Sequence, residues 1–154
     1  MPKTIEMVVS LKVPDTTAIT ALQTLQKIGI DKIKDVKRSD YYKFTIEGDE
    51  EQFKSKISKV DILVNANKHS SEFLVKKDSN MKILVKNIND DGNGILSTLA
   101  NRLGFKNIKK VDKAVLWSLA IDADEKEAKK IAEKAAKELL VNENYQQFSM
   151  IQGD

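Results

Sequence analysis

Polar and apolar residues alternate from the start of the chain. In IEMVVSLKV, residues Ile5, Met7, Val9, Leu11 and Val13 share one parity, which predicts a strand with a single buried face. Pro14-Asp15 breaks the alternation, and Asp15 or Thr16 is placed to cap a helix. The apolar period then lengthens: Ala21, Thr24, Leu25 and Ile28 fall on one helical stripe, and Gly29 stands where a helix ends in a left-handed residue. Two short strands are predicted next, at Ile33–Val36 and Tyr42–Ile46, with Tyr42, Phe44 and Ile46 pointing inward. Asp49 opens a second helix whose first turn carries Glu50 and Glu51, where the helix dipole favours negative charge. That helix runs to Leu63, and SSEFLV supplies a last strand. The order is β-α-β-β-α-β, the ferredoxin-like arrangement.

The same order then returns. GIDKIKDV at Gly29–Val36 and GFKNIKKV at Gly104–Val111 both read G-x-x-x-I-K-x-V, 75 residues apart, and IEGDEE recurs as IDADEK at the same spacing. L-V-N-x-N occurs at Leu63–Asn67 and Leu140–Asn144, 77 residues apart, so the second copy carries about two extra residues before it. Leu96, Leu99, Ala100 and Leu103 form the second first-helix stripe, Gly104 its cap, and Asp124 the start of the second helix. Trp117, Leu119 and Ile121 keep the inward phase of Tyr42, Phe44 and Ile46, which makes Trp117 a packing residue. In L-V-N-x-N the leucine is a last core contact. Asn65 and Asn142 can take a left-handed C-cap conformation, and the second Asn turns the chain into an edge strand. The expected protein is α+β: two tandem ferredoxin-like repeats at residues 1–76 and 81–154, joined by a polar linker at 77–80 and packed as an intrachain pseudo-dimer.

Composition narrows the chemistry. The 154 residues contain no cysteine, which removes disulfides, thiol nucleophiles and thiolate metal sites, and His69 is the only histidine. Lys and Arg number 26 against 23 Asp and Glu, with the signs interspersed; nucleic-acid binding asks for a concentrated basic face. No apolar run is long enough to span a bilayer, and MPKTIEMVV lacks the layout of a signal peptide, so a cytoplasmic protein is expected. NINDDGNG, read as a calcium loop, puts Asn87, Asn89 and Asp91 at positions one, three and five and Gly92 at six. Position one is not Asp and position twelve is Thr98 where a bidentate Glu is needed, so a turn and helix cap is expected. Asp90 and Asp91 also oppose phosphate binding there. His69 lies in polar NKHSSE and has no nucleophile or acid implied by spacing. The outward parity of the middle strands is Tyr41, Lys43 and Thr45 in the first copy, a weak platform for bases. In the second copy it is Leu116, Ser118 and Ala120, which suit protein packing.

The order strand, D-x-x-G, helix ending in L-G, paired valines, strands, acidic helix start and LLxN resembles the PurS family, the small subunit of phosphoribosylformylglycinamidine synthase. The stretches that carry it are Asp91–Gly94, RLGFKNIKKV, IDADEKEA and ELLVNENY, with KIGIDKIKDV and ILVNANK in the first copy. The resemblance implies a fused pair of units that are otherwise single, with no catalytic residue, cofactor or metal. It implies a scaffold between the ATP-dependent synthetase (PurL-type) and glutaminase (PurQ-type) subunits that supports ammonia transfer; self-association stays open. On this reading Leu116, Ser118, Ala120, Asp91 and Gly94 are interface candidates, and Gly29, Gly104, Asn65 and Asn142 are structural caps. The chain departs from the family at V-R-x-G-K, expected between strands two and three. It has Val36-Lys37-Arg38-Ser39-Asp40 in one copy and Val111-Asp112-Lys113-Ala114-Val115 in the other. The alternatives are an ACT-like paired module binding a small regulatory metabolite and, more remotely, an RNA-binding protein.

Overall fold

Among the described residues, six strands form one sheet. The structure, a computed structural model, describes residues 2–61, 63–65, 67–73, 80–88 and 93–151. In chain order the elements are β1 (Lys3–Leu11), α1 (Thr16–Lys27), β2 (Ile33–Ile46), α2 (Glu50–Ile57), β3 (His69–Glu72), β4 (Met81–Asn87), α3 (Asn93–Asn101), β5 (Ile108–Ile121), α4 (Glu125–Ala135) and β6 (Gln146–Ile151). The strands lie in the order β3-β1-β2-β5-β4-β6. A ferredoxin-like arrangement therefore occurs twice, with one change. Each pair of short strands expected in mid-repeat is a single strand of 14 residues, β2 and β5. The polar stretch Lys37-Arg38-Ser39-Asp40, and with it the V-R-x-G-K position, lies inside β2, not in a loop. Its polarity has partners: Arg38 Nε donates to Asp15 at 3.1 Å, and the Ser39 and Ser10 hydroxyls are 2.7 Å apart. Pairing along both strands overrides the local turn composition.

β2 and β5 run antiparallel along their whole length, and Asp40 pairs with Val115, its equivalent 75 residues on. Equivalent residues facing each other place a pseudo-twofold axis at that pair. The outer ladders obey the same symmetry. Met7 pairs with Tyr42 in the first half, and Ile83 with Trp117 in the second. The ladder slips at Ile33/Asp35 and at Thr45/Ile46, which leaves Lys34 and Lys109 as extra residues in equivalent places. These bulges explain I-K-x-V: with one residue set aside, Ile33 and Val36, and likewise Ile108 and Val111, all face inward.

Among the described residues, all four helices lie on one face and cover two cores, each built from both halves. The first core joins Met7, Phe44, Phe53 and Ile57 to Leu99, Phe105 and Val111 of the second half. Its aromatic rings interlock, with Phe44–Phe53 and Phe53–Phe105 edge to face at 5.3 and 6.0 Å. The second core sets Ala18, Ala21 and Leu25 of α1 against Trp117, Leu119 and the alanines of α4. The two halves have thus exchanged their first helices. Ile28 and Leu103, expected on the buried stripes, are about half exposed because each follows the last inward turn of its helix. The two-residue insertion of the second half is taken up where α4 widens into a π-turn over Ala136–Leu140, closed by Val141 N donating to Ala136 O.

Separating residues 1–76 from 81–154 strips Leu25, Ile30, Ile33 and Val36 out of the second core. At about 1.5–3 kcal/mol each this approaches the whole stability of a small domain, about 5–15 kcal/mol. Neither half expressed alone is expected to give a folded monomer, and mixing them is expected to restore the native circular dichroism spectrum. A half that is monomeric with a cooperative melt would contradict the exchanged cores.

Tyr42 packs against Phe44, and burial, with Asp40 adding repulsion, pushes its phenol up to about 12. The fold favours the protonated form, so this contribution is complete below pH about 10 and is lost as pH rises towards 12. Tyr42→Phe should remove about 2–3 kcal/mol of alkaline destabilisation between those limits. Urea midpoints of both proteins, measured across that range, check it.

Candidate interaction surface

The face opposite the helices is made by the outward parity of the strands. At its centre Val8, Tyr41, Ala114 and Leu116, with Leu84 and Ile151 beside them, form a third apolar cluster drawn from five adjacent strands. Leu116 is 6% exposed and Tyr41 6%, so the side chains of this twisted sheet close over one another. Around them lie the polar groups. The Tyr41 hydroxyl donates to Glu6, and Lys86 Nζ meets Asp112 at 3.0 Å.

Leu116, Ser118 and Ala120 do lie together on this face, but in different surroundings. Leu116 belongs to the buried cluster. Ser118 Oγ accepts from Lys82 Nζ at 2.9 Å and from Asn80 Nδ2 at 3.3 Å, and Ala120 is half-buried opposite Asp35. Gly94 sits apart from them, in the first turn of α3 on the helix side, where its carbonyl accepts from the Thr98 hydroxyl. Asp91 lies outside the described residues, as do Asp90 and Gly92 of the loop weighed as a calcium site, most of the 77–80 linker and Leu74–Val75 of the strand expected to close the first repeat.

Gly29 and Gly104 have φ of 98° and 77°. At the first, Ile30 N donates to Leu25 O and Gly29 N to Gln26 O, which returns the chain towards the core. Asn65 and Asn142 are different from the expected left-handed caps, since no described non-glycine residue has positive φ. Each instead accepts from the backbone two residues on, Asn67 N at 3.0 Å and Asn144 N at 3.1 Å. Asn turns of this kind need no left-handed residue. The backbone N–H of Asn65 donates to His69 Nδ1 at 3.0 Å, and that of Asn142 to Gln146 Oε1 at 2.9 Å. The single histidine thus fills a structural position that glutamine fills in the other half.

Two features were not read from the sequence. Lys82 is 6% exposed, although alternation in MKILVK puts Lys82, Leu84 and Lys86 on one parity and was the available signal. Arg38 anchors the N-cap Asp15 of α1, a contact across 23 positions with no local signature. Among the described residues no group of three His, Cys, Asp or Glu could hold a metal ion, and no helix is long and apolar enough to cross a membrane.

His69→Gln should keep the N–H acceptor and leave thermal stability near that of the wild type. His69→Leu should cost about 1 kcal/mol by leaving the Asn65 N–H without its acceptor. A chemical-denaturation series over both variants tests this, and equal losses would deny the turn's side-chain cap.

Comparison with known proteins adds one match. Residues 82–152 match the PurS family, phosphoribosylformylglycinamidine (FGAM) synthase. The matched segment begins in β4 and ends just beyond β6, so it spans one of the two repeats of the fold. No curated protein matches the chain.

Proposed function

We propose that the chain is a PurS-type accessory subunit of FGAM synthase, present as two fused repeats at residues 1–76 and 81–154. In this reading it is cytoplasmic, performs no catalysis and binds no nucleic acid. It holds the glutaminase subunit against the ATP-dependent synthetase so that ammonia released from glutamine reaches formylglycinamide ribonucleotide. The observation that carries the reading is the family match over residues 82–152. The assignment of the first half is supported by the shared ladders: its strands pair in the registers of the second half, and the equivalent residues Asp40 and Val115 meet on the pseudo-axis. Fusion would hold each repeat near its mate at an effective concentration on the order of millimolar, which makes a weak dimer constitutive.

Leu116, buried in the third cluster, is a folding residue on this reading, and docking falls to the rims of the sheet face around Ser118 and Ala120. Reconstitution with the synthetase and glutaminase of the same source tests the function. The chain is expected to be required for amidation with glutamine and largely dispensable with free ammonia. If it alters neither reaction and does not co-elute with either subunit, the proposed function fails.

A further inference from the structure

The open face carries a cavity of about 490 Å³ displaced from the pseudo-axis towards β4 and β6. Three lysines of the outward parity line it, Lys43, Lys86 and Lys110, against one carboxylate, Asp112. Its floor is apolar, from Tyr41, Leu84 and Ala114, and Ser149 and Gln147 of the edge strand supply neutral hydrogen-bonding groups. Asp112 does not cancel the lysines so much as arrange them: Lys86 Nζ lies 3.0 Å from one of its oxygens and Lys110 Nζ 3.8 Å from the other. Lys43 stands directly across the β2–β5 ladder from Asp112. Glu6, across β1–β2 from Lys43, is engaged by the Tyr41 hydroxyl.

The other half does not repeat this arrangement. At the equivalents of Lys43, Lys86 and Lys110, as set by the ladders, stand Ser118, Ser10 and Asp35. Two serines and a carboxylate replace three ammonium groups in the same backbone frame. At the equivalents of Asp112 and Glu6 stand Lys37 and Lys82, so both halves carry cations on this face, but only beside Asp112 do three lysines surround one carboxylate.

We infer that this cavity is a binding site for a small multiply charged anion, a phosphorylated or polycarboxylate metabolite, whose charge is held by Lys43, Lys86 and Lys110 and whose body rests on Tyr41, Leu84 and Ala114. The volume lies within the range of small-molecule sites, about 300–1,000 Å³. The Lys86 ammonium group, held against Asp112 at 3.0 Å, is partly pre-organised, which lowers the ordering cost of binding. The site lies across the pseudo-axis from Ser118 and Ala120 and does not depend on the proposed subunit role.

Calorimetric titration of the full chain with sodium pyrophosphate, and separately with citrate, tests it at about 0.15 M ionic strength, where diffuse attraction is screened beyond about 8 Å. One saturable site is expected, with amide shifts in a parallel nuclear magnetic resonance titration confined to strands β2, β4, β5 and β6 around the cavity. Saturation by pyrophosphate alone identifies a phosphoryl ligand, and by citrate alone a carboxylate one. The exposed pair Lys43→Gln and Lys110→Gln should together weaken binding at least about tenfold, and Lys37→Gln, at the equivalent of Asp112 in the other half, should leave it unchanged. Absence of saturable binding by either anion, survival of binding in the double variant, or an equal loss in Lys37→Gln would each overturn the site.

Discussion

The structure depends on the ladder between β2 and β5. Each strand is 14 residues long, and each serves two cores: its N-terminal part lies under the other half's helix, its C-terminal part beside its own first strand. Because side chains alternate along a strand, a slip of one residue in this ladder would turn Phe44, Ile46, Trp117 and Leu119 out of the cores and bring charged residues in. The register that meets Asp40 with Val115 satisfies both cores at once, and the bulges at Lys34 and Lys109 let Ile33 and Ile108 keep their inward direction at the two ends. The exchange of first helices follows. A chain that leaves β1, crosses in α1 and enters β2 at its distal end delivers that helix to the other core.

Within one backbone frame the two cores have been filled differently. The first uses rings, with Phe44, Phe53 and Phe105 interlocked and Tyr42 stacked beside them. The second brings helices together on alanines, Ala18 and Ala21 against Ala132, Ala135 and Ala136, and floors them with Trp117. Equivalent positions thus hold different volumes while each core stays closed, as expected where total volume and polarity pattern matter more than identity. The terminal turns diverge in the same way: His69 and Gln146 are unlike in chemistry but alike in supplying an acceptor at one place.

Divergence on the open face has a different character. There the cluster of Val8, Tyr41, Ala114 and Leu116 spans the pseudo-axis and ties the halves together. The charges around it are not symmetric, since the lysines concentrate beside Asp112. Symmetry in the buried layer is held by packing. A solvent-facing position carries no such constraint, so the two halves can be specialised for different neighbours without disturbing the frame.

Much of this was legible in the sequence. The repeated G-x-x-x-I-K-x-V and L-V-N-x-N islands, the parity of Tyr42, Phe44 and Ile46, the caps Asp15, Asp49 and Asp124, and the left-handed Gly29 and Gly104 are local properties, fixed by side-chain period and backbone freedom. The polar stretch Lys37–Asp40 misled because its turn-like composition is answered by partners far along the chain, Asp15 and Ser10. The left-handed Asn65 and Asn142 misled because the side chain itself can close the turn. The sequence by itself determined that there are two repeats, which faces of their elements are apolar, and where three of their helices begin. Only the tertiary structure decided that the central strands are continuous, that the helices are exchanged, and that lysines from three strands converge around Asp112. Those outcomes rest on pairing between segments some 75 residues apart, and the energy of such pairing is absent from any local window of the chain.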